Sequence, residues 1–169
     1  MSSRSRASLE KTMTTKRPRP EPSAYPSDAS LAERARFLLQ YAVLAPSSHN
    51  SQPWAFGVDD AEIRVFADES RKLRVADPDG RELHLSVGCA LENLVVAARQ
   101  FGLRPTVAYV AGAHESAPPR ESVRHVATVQ FDPDSPQSSD GEAELFGAIT
   151  ERRTSHESFD DRPVPASVL

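Results

Sequence analysis

Little in this sequence is available for covalent or metal chemistry through sulfur. Cys89 is the only cysteine, which excludes an intrachain disulfide framework and a thiolate metal site. The five histidines (His49, His84, His114, His125 and His156) share no His-x-x-x-His spacing, so no metal is expected. Charge of one sign is lacking as well: 20 Lys and Arg stand against 24 Asp and Glu, a formal net charge of −4. There is no basic stripe, and hence no electrostatic case for a nucleic-acid partner. No apolar run is long enough to span a membrane or to form the centre of a secretory signal. A lone thiol agrees with a reducing, cytoplasmic setting, and no repeat at solenoid periods is visible. The 169 residues leave room for one domain with a real core.

Residues 1–29 read as an unstructured basic arm. They carry Arg4, Arg6, Lys11, Lys16, Arg17 and Arg19, four closely spaced prolines and hardly any apolar residues. The arm faintly resembles an organelle transit peptide, but a solvated tail, or a start codon placed too early, is the simpler reading. A first helix is expected near Ser30, with Asp28 or Ser30 as N-cap and Glu33 completing a capping box with Ser30, and Leu31, Ala35, Leu38, Leu39, Ala42 and Val43 recur at helical steps. Pro46 ends the pattern. Two strands, Trp54–Val58 and Glu62–Ala67, read as a hairpin. Asp77-Pro78-Asp79-Gly80 announces the longest helix, Arg81–Gly102, with a broad apolar stripe that takes in Cys89, expected to be buried there. Gly102 suits its C-terminus. Strands Thr106–Val110 and His125–Phe131 follow, then a Pro/Ser/Asp-rich linker over 132–141. A last short helix, Glu142–Arg153, should turn Leu145, Phe146 and Ile149 inward.

Between the first helix and the hairpin lies Ala45-Pro46-Ser47-Ser48-His49-Asn50-Ser51-Gln52-Pro53-Trp54-Ala55-Phe56. Its small hydroxyl and amide side chains offer local hydrogen bonds and leave the backbone close to anything docked there. The bland account is a turn followed by a core tryptophan. The order of residues, Ala-Pro-Ser-Ser-x-Asn-x-Gln-Pro-Trp-x-Phe, resembles the flavin-site segment of the nitroreductase family, FMN-dependent enzymes with an α+β fold. The resemblance implies Pro46, Ser47 and Ser48 at the isoalloxazine edge, Asn50 and Gln52 bracing the loop, and Trp54 packing beneath it. His49, inside this loop, is a further candidate site residue.

Near the C-terminal end, Arg152-Arg153-Thr154 pairs two permanent cations with a hydroxyl, groups suited to a phosphate. Alone, such a triplet is a weak signal and reads more simply as solvated charge on a helix end. It is similar to the Arg-Arg-Ser-x-Arg-x-Phe element by which nitroreductases hold the FMN phosphate and ribityl chain. Arg152, Arg153 and Thr154 fill its first three places, His156 stands where the third basic residue belongs, and Phe159 roughly matches the aromatic. The histidine weakens the phosphate grip, being largely neutral at pH 7. Loop first and arginines last is an order that resembles the nitroreductase-like proteins of actinobacteria, longer chains in which two related halves imitate the family's usual dimer. The expectation is therefore the N-terminal half of such a protein, incomplete, with a central mixed or antiparallel sheet flanked by helices over 30–131 and the second half beginning within 142–169.

What the resemblance implies is FMN as cofactor, NAD(P)H as donor, a nitroaromatic or quinone-like small molecule as acceptor, and a homodimer. A non-catalytic flavin-sequestering protein and an inactive truncated remnant are the alternatives. No general acid or base is identified. His84 and Cys89, five positions apart, do not face each other on a helix.

Overall fold

The computed structural model describes residues 19–60, 62–110, 122–132 and 140–155, together with Ser158 and Pro165. The expected arm lies partly outside these residues. From Arg19 onward the chain does not behave as a solvated tail: Pro20 is buried, and the Tyr25 ring stacks on Phe101 at 4.3 Å while the Arg34 Nε donates to its hydroxyl at 2.8 Å. Tyr25, standing among the prolines, ties this segment down.

Helix α1, Leu31–Ala42, starts as expected. The Glu33 N–H donates to Ser30 Oγ at 3.3 Å, and Glu33 Oε2 accepts from the Ser30 N–H at 3.1 Å and its hydroxyl at 2.6 Å. The buried face is Ala35, Phe37, Leu38, Tyr41 and Ala42, so two aromatics join the aliphatic positions that the spacing marked. Strands β1 (Trp54–Asp59) and β2 (Glu62–Asp68) form the hairpin, with Trp54 opposite Ala67 and Asp59 opposite Glu62. Helix α2, Arg81–Gln100, ends in a Schellman turn: the Leu103 N–H donates to Ala98 O at 2.9 Å and the Gly102 N–H to Arg99 O at 3.0 Å, with Gly102 at φ +74°. Strands β3 (Arg104–Tyr109) and β4 (Val123–Asp132) pair antiparallel, and β4 also pairs with β2. The sheet order is β1-β2-β4-β3, antiparallel throughout. Helix α3, Asp140–Glu151, begins inside the stretch expected to be linker.

α1 and α2 cover one face of the sheet, and their buried residues join Ile63, Val65, Ala67, Ala127, Val129 and Phe131 in one core. Alternation places Phe66 on the opposite face from Val65 and Ala67. A bulge in the β2–β4 register brings Phe66 opposite His125, ring centroids 5.2 Å apart. His125 therefore does not continue the inward series of Ala127, Val129 and Phe131, as its spacing suggests, but sits with Phe66 outside that core.

Two side-chain expectations are corrected. Leu145 is 58% exposed, leaving Phe146 and Ile149 to anchor α3. Cys89 is exposed rather than buried, because the core-facing stripe runs through Val87, Ala90 and Leu91 and passes it by.

Candidate functional site

The segment between α1 and β1 has an unusual backbone. His49, Asn50 and Gln52 all lie in the left-handed region, at φ +50°, +55° and +50°, a conformation that costs a non-glycine residue on the order of 1 kcal/mol. Specific contacts hold it. The Gln52 N–H donates to Ser47 Oγ at 2.9 Å, and the Gln52 side-chain amide to Asn50 Oδ1 at 3.1 Å. The other side of the Ser51–Gln52 peptide is pinned as well, since Arg71 Nη1 donates to Ser51 O at 3.1 Å. Arg71 is itself oriented by the buried Asp68, with Nε 3.5 Å from Oδ2. A third tie comes from α2, where the Ser48 hydroxyl donates to Glu82 Oε2. Asn50 and Gln52 thus brace the loop, and Trp54 is a buried core residue beneath it.

The arginine element comes to the same place from the far end of the chain. Arg152 Nη2 donates to Leu44 O at 3.2 Å, and Arg152 Nη1 donates to Thr154 Oγ1 at 3.0 Å. Residues Ala45 to Asn50 on one side and Arg152 and Thr154 on the other line a single cleft of about 520 Å³. The structure therefore brings together Pro46, Ser47, Ser48, His49, Asn50, Arg152 and Thr154. Gln52 stands behind the wall. Arg153 is not in the lining: its Nη1 donates to the carbonyls of Thr150, Glu151 and Arg152 at 3.4, 2.9 and 2.8 Å. His156 and Phe159 lie outside the described residues.

Chemically, the cleft combines one guanidinium, several hydroxyls and a tightly turned backbone, a donor-rich set suited to an anionic, oxygen-rich ligand. Among the described residues no group of three or more His, Cys, Asp or Glu could hold a metal ion, and no described helix is long and apolar enough to cross a membrane. Next to the loop, the start of α2 is fixed by Asp77. Its carboxylate accepts from the Glu82 and Leu83 N–H groups at 3.1 and 2.9 Å. Burial pushes its pKa up, but those hydrogen bonds, the Lys72 charge and the Arg81 N–H outweigh it and hold the group below its ordinary 3.8.

Arg71, Glu82 and Asp77 were not marked by the sequence as site residues. Asp77 does stand in the helix-start signal, but Glu82 and Arg71 reach the loop from 34 and 20 positions away. No local spacing reports such contacts.

No protein-family model matches the chain. Sequence relatives exist nonetheless. The Mycobacterium tuberculosis (strain H37Rv) protein named "Putative NAD(P)H nitroreductase Rv3131" is 38% identical over 134 residues, 79% of this chain and 36% of that protein. A second protein of the same strain, "Putative NAD(P)H nitroreductase acg", is 33% identical over 125 residues, 74% of this chain and 35% of that protein. The chain thus spans little more than a third of the length of either. Among solved structures, that of a Desulfovibrio desulfuricans protein, titled a "putative nitroreductase in complex with FMN", superposes with a TM-score of 0.51 at 20% identity. It covers 82% of this chain and 89% of that one, a likeness of fold.

Proposed function

Because the chain belongs to the nitroreductase family, we propose that its cleft is part of an FMN site serving NAD(P)H-dependent reduction of a nitroaromatic or quinone-like acceptor. One observation carries this reading: two motifs about a hundred residues apart in sequence line the same cleft, with Arg152 hydrogen-bonded to the carbonyl of Leu44 just before the loop. The volume of about 520 Å³ lies within the roughly 300–1,000 Å³ of small-molecule sites, and a guanidinium beside a threonine hydroxyl matches a phosphate. Bound FMN would supply the redox chemistry, taking reducing equivalents from a nicotinamide and passing them to the acceptor. The chain's own part is to hold and orient. Arg152 and Thr154 grip the phosphate end, and the braced loop places Pro46, Ser47 and Ser48 at the ring. Pinning the Ser51–Gln52 peptide keeps the loop from relaxing out of its left-handed form.

The partner we infer is a second copy of the chain. An apolar groove of about 440 Å³ between α2 and α3, including Val96, Leu145, Ala148 and Ile149, shares Arg152 with the cleft. A second copy seated there would close the site from its open side.

The test is incubation with FMN, desalting and a visible absorption spectrum. Arg152→Ala should weaken FMN binding by about tenfold or more, the scale of a lost charge-assisted hydrogen bond. Arg153→Ala should do less, because that guanidinium is engaged with its own backbone. Equal binding by wild type and Arg152→Ala would remove the phosphate assignment. NADH or NADPH oxidation with an acceptor such as nitrofurazone would support the enzyme, and bound flavin without turnover would support sequestration.

A further inference from the structure

We propose that Ser47 and Ser48, neighbours on the cleft wall, meet the ligand with opposite hydrogen-bonding polarity, and that Glu82 is the positioning residue that sets it. A serine hydroxyl has one proton to give and two lone pairs to receive with. At Ser48 the proton is already committed, because the hydroxyl donates to Glu82 Oε2, and a carboxylate only accepts. What Ser48 can offer the cleft is an acceptor. Ser47 is the reverse case. Its Oγ receives the Gln52 N–H at 2.9 Å, and its own proton meets no acceptor among the described residues, so it offers the cleft a donor. Both side chains belong to residues lining the cleft, one peptide apart.

A donor beside an acceptor selects a ligand edge with the complementary pair, a carbonyl next to an N–H. An imide or lactam has that edge; an aromatic hydrocarbon rim or a tertiary amide does not. Resting on the flavin reading above, the match is the pyrimidine-dione edge of the isoalloxazine, where an N–H stands between two carbonyls. On this assignment Ser48 accepts from the N3–H and Ser47 donates to the adjacent carbonyl. Glu82 touches no ligand. Its role is to hold the Ser48 proton away from the cleft, from the first turn of α2, whose start Asp77 fixes.

The experiment is fluorescence titration of the full chain with FMN and with N3-methyl-FMN, which carries the same phosphate but lacks the N3–H. Wild type should prefer FMN by about five- to tenfold, the scale of one hydrogen bond. Glu82→Lys puts a donor-only group against Ser48, which releases the hydroxyl proton toward the cleft. The preference should then fall to about one. Because both flavins carry equal charge, the added lysine cancels from the ratio. Ser48→Ala should abolish the preference by itself, and adding Glu82→Lys to it should change the ratio no further. A preference retained in Glu82→Lys would overturn the role of Glu82, and one retained in Ser48→Ala would overturn the polarity assignment, each with the flavin reading intact. Failure of the wild type to bind either flavin would overturn the flavin reading, and this proposal with it.

Discussion

Asp77 accepts two backbone N–H groups at the start of α2 while nearly buried, at 5% exposure. Its pKa is lowered in the folded chain, so its contribution to stability is present above the ordinary value of 3.8 and is lost as pH falls from there through the folded value. Asp77→Asn should therefore lower Tm at pH 7, and the gap to wild type should close as pH drops below about 4. Glu33, held below its ordinary 4.5 mainly by the Ser30 hydroxyl and N–H, remains in the variant and keeps part of the acid sensitivity. Thermal unfolding from pH 7 down to pH 3 checks this; a gap that widens on acidification would reverse the sign. At this scale the sequence was only partly legible. Pro46, Ser47, Ser48, Asn50 and Thr154 declare themselves by type and order, whereas Glu82 and Arg71 look like any surface charge. Their meaning is long-range, set by where a helix start and a strand end meet the loop.

Elements were more legible than contacts, because periodicity and caps are local. The Ser30–Glu33 capping box and the Gly102 terminus can be read from neighbouring residues alone, and both stand in the structure. Gly102→Ala should cost about 1 kcal/mol, since φ +74° is strained for any side chain. Beyond its chain neighbours, no atom of the described residues lies within 4 Å of where its Cβ would stand, so packing adds nothing. Urea unfolding should show a lower midpoint at unchanged m-value; no shift would mean that the turn relaxes. Less legible were the features set by pairing between strands. The alternation of Val123, His125, Ala127, Val129 and Phe131 supports a strand, yet with the bulge between β2 and β4 only Ala127, Val129 and Phe131 join the core. A bulge depends on the partner strand, about 60 positions away, and leaves no mark in a single strand's pattern.

At the scale of the whole molecule, five aromatic rings join what lies far apart in sequence. Tyr25, Phe37, Tyr41, Phe101 and Phe146 make contacts with centroids 4.3 to 6.0 Å apart, binding the segment before α1 to α1, α2 and α3. That cluster seats α3, and α3 delivers Arg152. Leu145, on the same helix, is 58% exposed and lines the groove in which the proposed second copy would sit. Leu145→Glu should thus shift sedimentation velocity from dimer toward monomer, and a monomeric wild type would remove the second-copy reading. The sheet order also has a temporal consequence. The β1–β2 hairpin closes over neighbouring residues, but its pairing with β4 must wait for roughly 50 intervening residues to be looped back, at an entropic cost that slows folding. The serine loop, tied to the hairpin through Asp68 and Arg71, should therefore form early, and Arg152, which faces it from 108 positions away, should join late. A ligand gripping both would act as a latch on the slowest-assembled part of the chain, so its binding should be felt most strongly in the rate of unfolding.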